Sequence, residues 1–267
     1  MRQQIELYLD KLNQYEIILI RFFQKIFLAE KYVKFHQLFE YLVSPQNFSF
    51  IPLLFYSIGK YNESFLFAKC CVLYIFITHK FKKFVFRKRP YAYSNIFNPD
   101  HVRSSSFPSN HTAGSVILAS FFPTRILFLK IFFVFLMQLN RIILGCHFPT
   151  DTIIGALIGL LILFISKLVN NQIVMIIMLF CICFDDPYFS WLFGSSLAFF
   201  IHKRNNEIKT KWLRLPLSFI VFPLLKHIKI IFKSQIEKRK SFSFFTIHFL
   251  CYYFMILLFK FDIENDK

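Results

Sequence analysis

The hydrophobic residues of this chain fall into apolar runs separated by short polar or basic segments. The clearest runs occupy residues 48–58, 65–78, 112–122, 126–139 and 152–165, with further candidates at 173–184, 191–201, 213–232 and 244–259. A membrane-spanning helix needs roughly 20 apolar residues, so some of the shorter runs are expected to be re-entrant or to lie beside the core. The pattern predicts an all-α, polytopic transmembrane bundle with about six core helices and extra C-terminal membrane helices.

Residues 1–48 instead mix apolar and charged positions at helical spacing. This spacing predicts an amphipathic helix at the membrane interface or a poor first span. No cleavable signal peptide is expected, because charges interrupt the first apolar run and no small-residue cleavage site follows it. We therefore divide the chain into this N-terminal region, a membrane core over 49–169, and C-terminal membrane helices of unassigned role over 170–267.

Composition supports a membrane protein with basic loops. Hydrophobic residues make up 56% of the chain and charged residues 18%, and 32 Lys and Arg against 15 Asp and Glu give a net charge of +17. This apolar content excludes a disordered chain, and 40 Phe argue against a basic nucleic-acid-binding domain. The six Cys are interpreted as small buried hydrophobic residues. Between Glu63 and Asp185 the acids are Asp100 and Asp151 alone, and an acid in such a region needs a partner.

A basic segment and a polar helix start are the first two candidate sites. Lys82–Pro90 follows an apolar run, and by itself it is typical of residues that anchor a helix to anionic headgroups. The segment 106–112 predicts a helix start with Pro108 at the first helical position. The N–H groups of that turn form an anion site, to which Ser109 and Asn110 add donors. His111 on the same turn is suited to proton transfer.

The third candidate site spans residues 140–151. Pro149 stands at another predicted helix start, with His147 and Asp151 on either side of it. A carboxylate at this spacing can accept from one ring nitrogen of His147 and leave the other as a base or nucleophile. Arg141, near the end of the preceding run, can hold a phosphate bidentately. Taken alone, the segment is equally typical of a helix cap beside an interfacial Arg.

Alternating spans would bring these segments to one membrane face. They would then supply cations, helix amino ends, two His and one Asp around a common point. This inventory is that of a phosphoryl-transfer site that uses no metal.

The spacing of the three segments resembles the type 2 phosphatidic acid phosphatase superfamily, which also contains vanadium haloperoxidases. The family pattern is Lys, six residues, Arg-Pro; then Pro-Ser-Gly-His; then Ser-Arg, five residues, His, three residues, Asp. Here Lys82 precedes Arg89-Pro90, Asn110 replaces Gly between Ser109 and His111, and Asn140 replaces Ser before Arg141. The resemblance covers roughly residues 49–169.

The resemblance implies a metal-independent phosphatase with no cofactor. His147 would attack phosphorus and become a phosphohistidine, Asp151 would orient it, and His111 would protonate the leaving group and then activate water. The expected phosphate ligands are Lys82, Arg89, Ser109, Asn110 and Arg141. The Asn110 side chain is expected to crowd the phosphate or to alter the backbone, which bears on efficiency and not on the reaction class.

The resemblance also implies a lipid phosphate substrate, such as phosphatidate, phosphatidylglycerophosphate, a polyprenyl diphosphate or lipid A phosphate. The expected partners are this substrate and membrane lipids, with no nucleic acid and with the oligomeric state left open. The expected location is a bacterial cytoplasmic membrane with the active site facing the periplasm. The basic loop over 80–103 would argue for the cytoplasm, but phosphate binding accounts for several of its charges.

Other functions compatible with the sequence are a lipid phosphotransferase, a non-catalytic anionic-lipid-binding protein and a transporter. Zinc binding by His79, His101, His111 and His147 is a further alternative, although these residues lack a zinc-ligand spacing of their own.

Overall fold

The computed structural model describes residues 2–44, 48, 50–93, 95–99, 104–122 and 125–170. Every regular element within these ranges is helical, in agreement with the predicted all-α class. The helices expected between 173 and 259, and with them Cys181, Cys183 and Cys251, lie outside the described residues.

The described helices follow the apolar runs of the sequence. They are α1 (Arg2–Ile26), α2 (Val33–Leu42), α3 (Phe50–Ser57), α4 (Tyr61–Phe84), α5 (Asn110–Ser120), α6 (Leu127–Ile143) and α7 (Pro149–Leu168), with one 3-10 turn at Pro90–Ala92. The apolar runs predicted over 48–165 thus correspond to α3 to α7. The N-terminal region forms two helices, separated by turns over 27–32.

The chain divides into two compact units. The first consists of Met1–Ser44 and Phe76–Phe164, and it contains every candidate site residue from Lys82 to Asp151. Its buried contacts include a cluster in which Ile17 and Ile20 of α1 pack with Ile142 and Phe148. The second includes Pro45–Ile75 and resumes at Ile165. In it, the buried Phe48 ring lies 5.5 Å from that of Phe67 and 5.9 Å from that of Tyr74.

Two described helices are long and apolar enough to cross a membrane, judged by length and composition alone. They cover Asn62–Phe84 and Pro149–Leu168. In addition, α6 and the segment before it expose large apolar side chains, as does α7. In α6 and at the residue before it, these side chains are Ile126, Leu127, Phe128, Leu129, Ile131, Phe132 and Phe135. In α7 they include Ile153, Leu157, Leu160, Leu161 and Phe164.

Two glycines allow α7 to approach α5 closely. A Cβ atom on Gly155 would lie 2.5 Å from the Ser109 carbonyl oxygen, and one on Gly159 would lie 2.7 Å from that of Ala113. Small residues at this spacing permit a close approach of two helices. It brings the start of α5 against the first turn of α7, where the Ser109 N–H donates to the Asp151 carbonyl at 3.0 Å.

Candidate active site

The three polar segments meet within the first unit, at the ends of four helices. Lys82 lies in the last turn of α4 and Arg141 in the last turn of α6, while His111 lies in the first turn of α5 and Asp151 in that of α7. His147 stands in the tight turn between α6 and α7. The structure therefore brings together the residues that the sequence grouped into one site.

The cations of the first segment hold the loop before α5. Arg89 donates from Nε to the Ser104 carbonyl at 2.8 Å and from Nη1 to the Cys146 carbonyl at 3.0 Å. Lys82 donates from Nζ to the Ser105 carbonyl at 2.7 Å. These contacts fix the loop against the turn that carries His147, so each cation is already ordered before any anion binds.

The His147 ring is oriented by a backbone carbonyl. Its Nδ1 lies 2.6 Å from the Ser106 oxygen, and because a carbonyl can only accept, Nδ1 carries the proton. The neutral ring then keeps its lone pair on Nε2. Asp151, predicted to accept from this ring, lies farther away, with Oδ2 3.9 Å from Nδ1. Its Oδ2 accepts from the Phe148 N–H at 3.0 Å instead, so in this structure Asp151 orders the turn and Ser106 sets the tautomer.

The electrostatic surroundings keep His147 neutral. Burial lowers its pKa well below the ordinary value, and the positive charges of Arg89, Arg141 and Lys82 lower it further. His147 is 2% exposed, so solvent screens these charges little. A histidine held in this state is a competent nucleophile at neutral pH.

The partner that Asp151 needs is Arg87, which the sequence did not single out. Arg87 Nη1 lies 2.5 Å from Asp151 Oδ1, and Nη2 lies 2.5 Å from Glu16 Oε2 of α1. The guanidinium carbon is 4.0 Å from the centre of the Phe148 ring. In the sequence Arg87 is one of several basic residues expected to face headgroups, and no local pattern distinguishes it from the exposed Lys83 and Lys88.

A second acid that sequence reasoning missed, Glu40 of α2, reaches the site. Its Oε1 lies 3.3 Å from His111 Nε2, and its Oε2 pairs with Arg141 Nη1. Burial lowers the pKa of His111 well below its ordinary value, and Arg141, His147, Arg89 and Lys82 lower it further. The available sequence signal was the spacing of His36 and Glu40, which places both on one face of α2.

The start of α5 differs by two residues from the predicted one. Ser109 is the N-cap and the helix begins at Asn110, so the prediction that Pro108 occupies the first helical position is wrong. Ser109 has the extended backbone that a capping residue adopts, and its Oγ accepts from the Thr112 N–H at 3.4 Å and from Thr112 Oγ1 at 3.0 Å. Its hydroxyl proton can still be donated. Pro149 does begin α7, as predicted.

No group of three or more His, Cys, Asp or Glu side chains in the described ranges is arranged to hold a metal ion.

The comparison with protein families gives a match between residues 64–175 and the family model described as the PAP2 superfamily. This segment includes all the residues of the predicted three-part pattern. The comparisons with curated proteins and with solved structures give no match.

Proposed function

We propose that this chain hydrolyses a phosphate monoester or diphosphate of a lipid, because residues 64–175 match the family model described as the PAP2 superfamily. The proposed reaction proceeds through a phosphohistidine intermediate without a metal. The tautomer of His147 carries this proposal. Its Nδ1 is committed to the Ser106 carbonyl, so the nucleophilic lone pair is on Nε2.

In the first step His147 Nε2 attacks phosphorus and the bond from phosphorus to the leaving oxygen breaks. His111 supplies the proton that the leaving oxygen takes up. The new bond gives phosphohistidine, with positive charge on the His147 ring. The Ser106 carbonyl and the nearby Asp151 carboxylate both favour that charge, since they present negative oxygen atoms toward Nδ1 at 2.6 and 3.9 Å.

Binding and stabilisation of the phosphoryl group are assigned to Lys82, Arg89, Arg141, Ser109 and the backbone at Asn110. The guanidinium groups and the ammonium group offset the charge on the equatorial oxygens. The amino end of α5 adds its dipole and N–H groups. Asn110 replaces the family's Gly and adds a side chain at this helix start. We propose that this replacement lowers the catalytic efficiency without changing the reaction.

In the second step water attacks phosphohistidine. His111, neutral after the first step, accepts a proton from this water while the bond between phosphorus and nitrogen breaks. His147 regains its lone pair and inorganic phosphate leaves. The site thus returns to its initial protonation state after one turnover.

A lipid substrate accounts for the apolar surface beside the site. The exposed faces of α6 and α7 carry Phe, Leu and Ile side chains, and Asn62–Phe84 and Pro149–Leu168 could cross a membrane by length and composition. Exposed large apolar side chains in this number indicate contact with lipid or another apolar partner. We assign it to the bilayer, so that a phosphate headgroup reaches His147 while its acyl chains stay among lipids.

The test is phosphate release by the purified protein in detergent from monoacyl, diacyl and polyprenyl phosphates. Release from at least one lipid, lost by several orders of magnitude in His147→Ala and retained in excess EDTA, is expected. Equal release by the two proteins, or abolition by EDTA, would contradict the mechanism. Appearance of the phosphate on an added acceptor lipid would identify a phosphotransferase that uses the same site.

A further inference from the structure

Helix α2 brings a carboxylate to both a cation and a histidine of the site. Glu40 contacts His111 through Oε1 and Arg141 through Oε2. The other acids near this site in the described residues, Asp151 and Glu16, are paired with Arg87 instead. Glu40 is therefore the acid that faces His111 in this part of the protein.

A second pair of contacts anchors α2 in this position. Asn140 Nδ2 donates to the His36 carbonyl at 3.1 Å, and Asn140 Oδ1 lies 2.7 Å from His36 Nδ1. Glu40 follows His36 by four residues and lies on the same face of α2. Their partners in α6, Asn140 and Arg141, are adjacent in sequence. The two contacts reinforce each other, because the His36–Asn140 pair sets the register in which Glu40 meets Arg141.

His111 otherwise faces groups that oppose its protonation. Arg141 approaches it from α6, Lys82 and Arg89 from α4 and the following loop, and His147 from the turn before α7; all of these, after burial itself, lower its pKa. A general acid must nevertheless carry a proton when the leaving oxygen departs. A carboxylate 3.3 Å from Nε2 supplies the negative charge that favours the imidazolium form.

We propose that Glu40 is the positioning residue of His111, holding the Nε2 side of the ring so that Nδ1 exchanges the proton. In the first step Nδ1–H passes to the leaving oxygen and the ring becomes the neutral Nε2–H tautomer. In the second step Nδ1 accepts a proton from the attacking water, and Glu40 stays ionised throughout. This assignment rests on the proposed function for its catalytic meaning, but the Glu40–His111 pair can be tested without turnover.

The first test is ¹⁵N NMR of histidine-labelled protein in detergent, with the His111 signals assigned by their loss in His111→Gln. In the unmodified protein neutral His111 is expected as the Nε2–H tautomer. In Glu40→Gln we expect a tautomer mixture and a proton affinity lower by about tenfold or more. Glu40→Asp should retain part of the effect, and Glu30→Gln, a change at an exposed acid between α1 and α2, should have none. An Nδ1–H tautomer, or identical His111 signals in Glu40→Gln, would overturn the proposal.

The second test is the pH profile of kcat for phosphate release by the same variants. For Glu40→Gln we expect a loss of about tenfold to a hundredfold, with the alkaline limb moved to lower pH. Asn140→Ser should change kcat in the same direction, since one hydroxyl cannot replace both amide contacts to His36. An increase in kcat/KM for Glu40→Gln would show that the Glu40 carboxylate hinders substrate binding, and it would overturn the assignment. A further outcome is that NMR detects the Glu40–His111 interaction in a protein that releases no phosphate, whether unmodified or as His147→Ala. That result would support the Glu40–His111 interaction and contradict the proposed phosphatase function.

Discussion

Arg87 and Asp151 form an ion pair in the protein interior, with side chains 1% and 0% exposed and 2.5 Å between Nη1 and Oδ1. The same guanidinium binds Glu16 of α1, and Glu16 also accepts from the Thr150 N–H at 2.7 Å. The N-terminal helix is thus tied to the first turn of α7. Asp151, which the sequence predicts as the partner of His147, is therefore held mainly by Arg87 from another segment.

Arg87→Gln should strongly destabilise the protein. Removing the guanidinium leaves the Asp151 and Glu16 carboxylates buried without their cation, and breaking a buried pair in this way costs about 3–5 kcal/mol. The measurement is thermal or denaturant unfolding of the purified protein in detergent. Lys88→Ala, a change at the exposed neighbouring residue, is the matched control; equal destabilisation by the two would refute the structural role of Arg87.

Gly155→Ala should reduce kcat by about a hundredfold, the scale expected for a displacement of about 1 Å within an active site. The added Cβ would lie 2.5 Å from the Ser109 carbonyl oxygen, so the start of α5 must move away from α7 and carry Ser109 and His111 with it. Steady-state kinetics on the best lipid substrate measures the effect. Leu157→Ala on the exposed face of the same helix should stay near the unmodified rate. An unchanged kcat in Gly155→Ala would contradict the close packing.

The optimum of kcat/KM should lie on the acid side of about pH 6.5, the ordinary histidine pKa. His147 must be neutral to attack, so its lowered pKa, caused first by burial and then by Arg89, Arg141 and Lys82, moves the acid limb to lower pH. His111 must be protonated to act as an acid, so its lowered pKa, caused first by burial and then by Arg141, moves the alkaline limb the same way. Rates measured between about pH 4 and pH 9 test this; an optimum above neutrality would exclude the assigned roles.

Orthovanadate should inhibit phosphate release competitively with the lipid. Vanadate can take the trigonal-bipyramidal shape of the transferring phosphoryl group, and His147 Nε2 would occupy one apical position while Arg89 and Arg141 bind the equatorial oxygens. Inhibition constants and direct vanadate binding to detergent-solubilised protein give the measurement. Binding should be lost in His147→Ala, and equal vanadate affinity of the two proteins would place the anion elsewhere.

The sequence alone predicted the helices of the described core and the grouping of the candidate residues. Apolar runs locate helices because lipid or a protein interior must cover their side chains. The sequence also predicted that Asp151 has a partner, since a buried acid without one is unfavourable.

Only the tertiary structure decided which partners these residues have. Arg87 and Glu40 look like ordinary charged residues of a basic loop and an amphipathic helix, and their burial results from contacts between segments far apart in the chain. The Ser106 carbonyl that sets the His147 tautomer has no side-chain signature at all. Ion pairs and hydrogen bonds depend on distances of a few ångströms, and these distances are fixed when helices pack, which no local pattern of residues encodes.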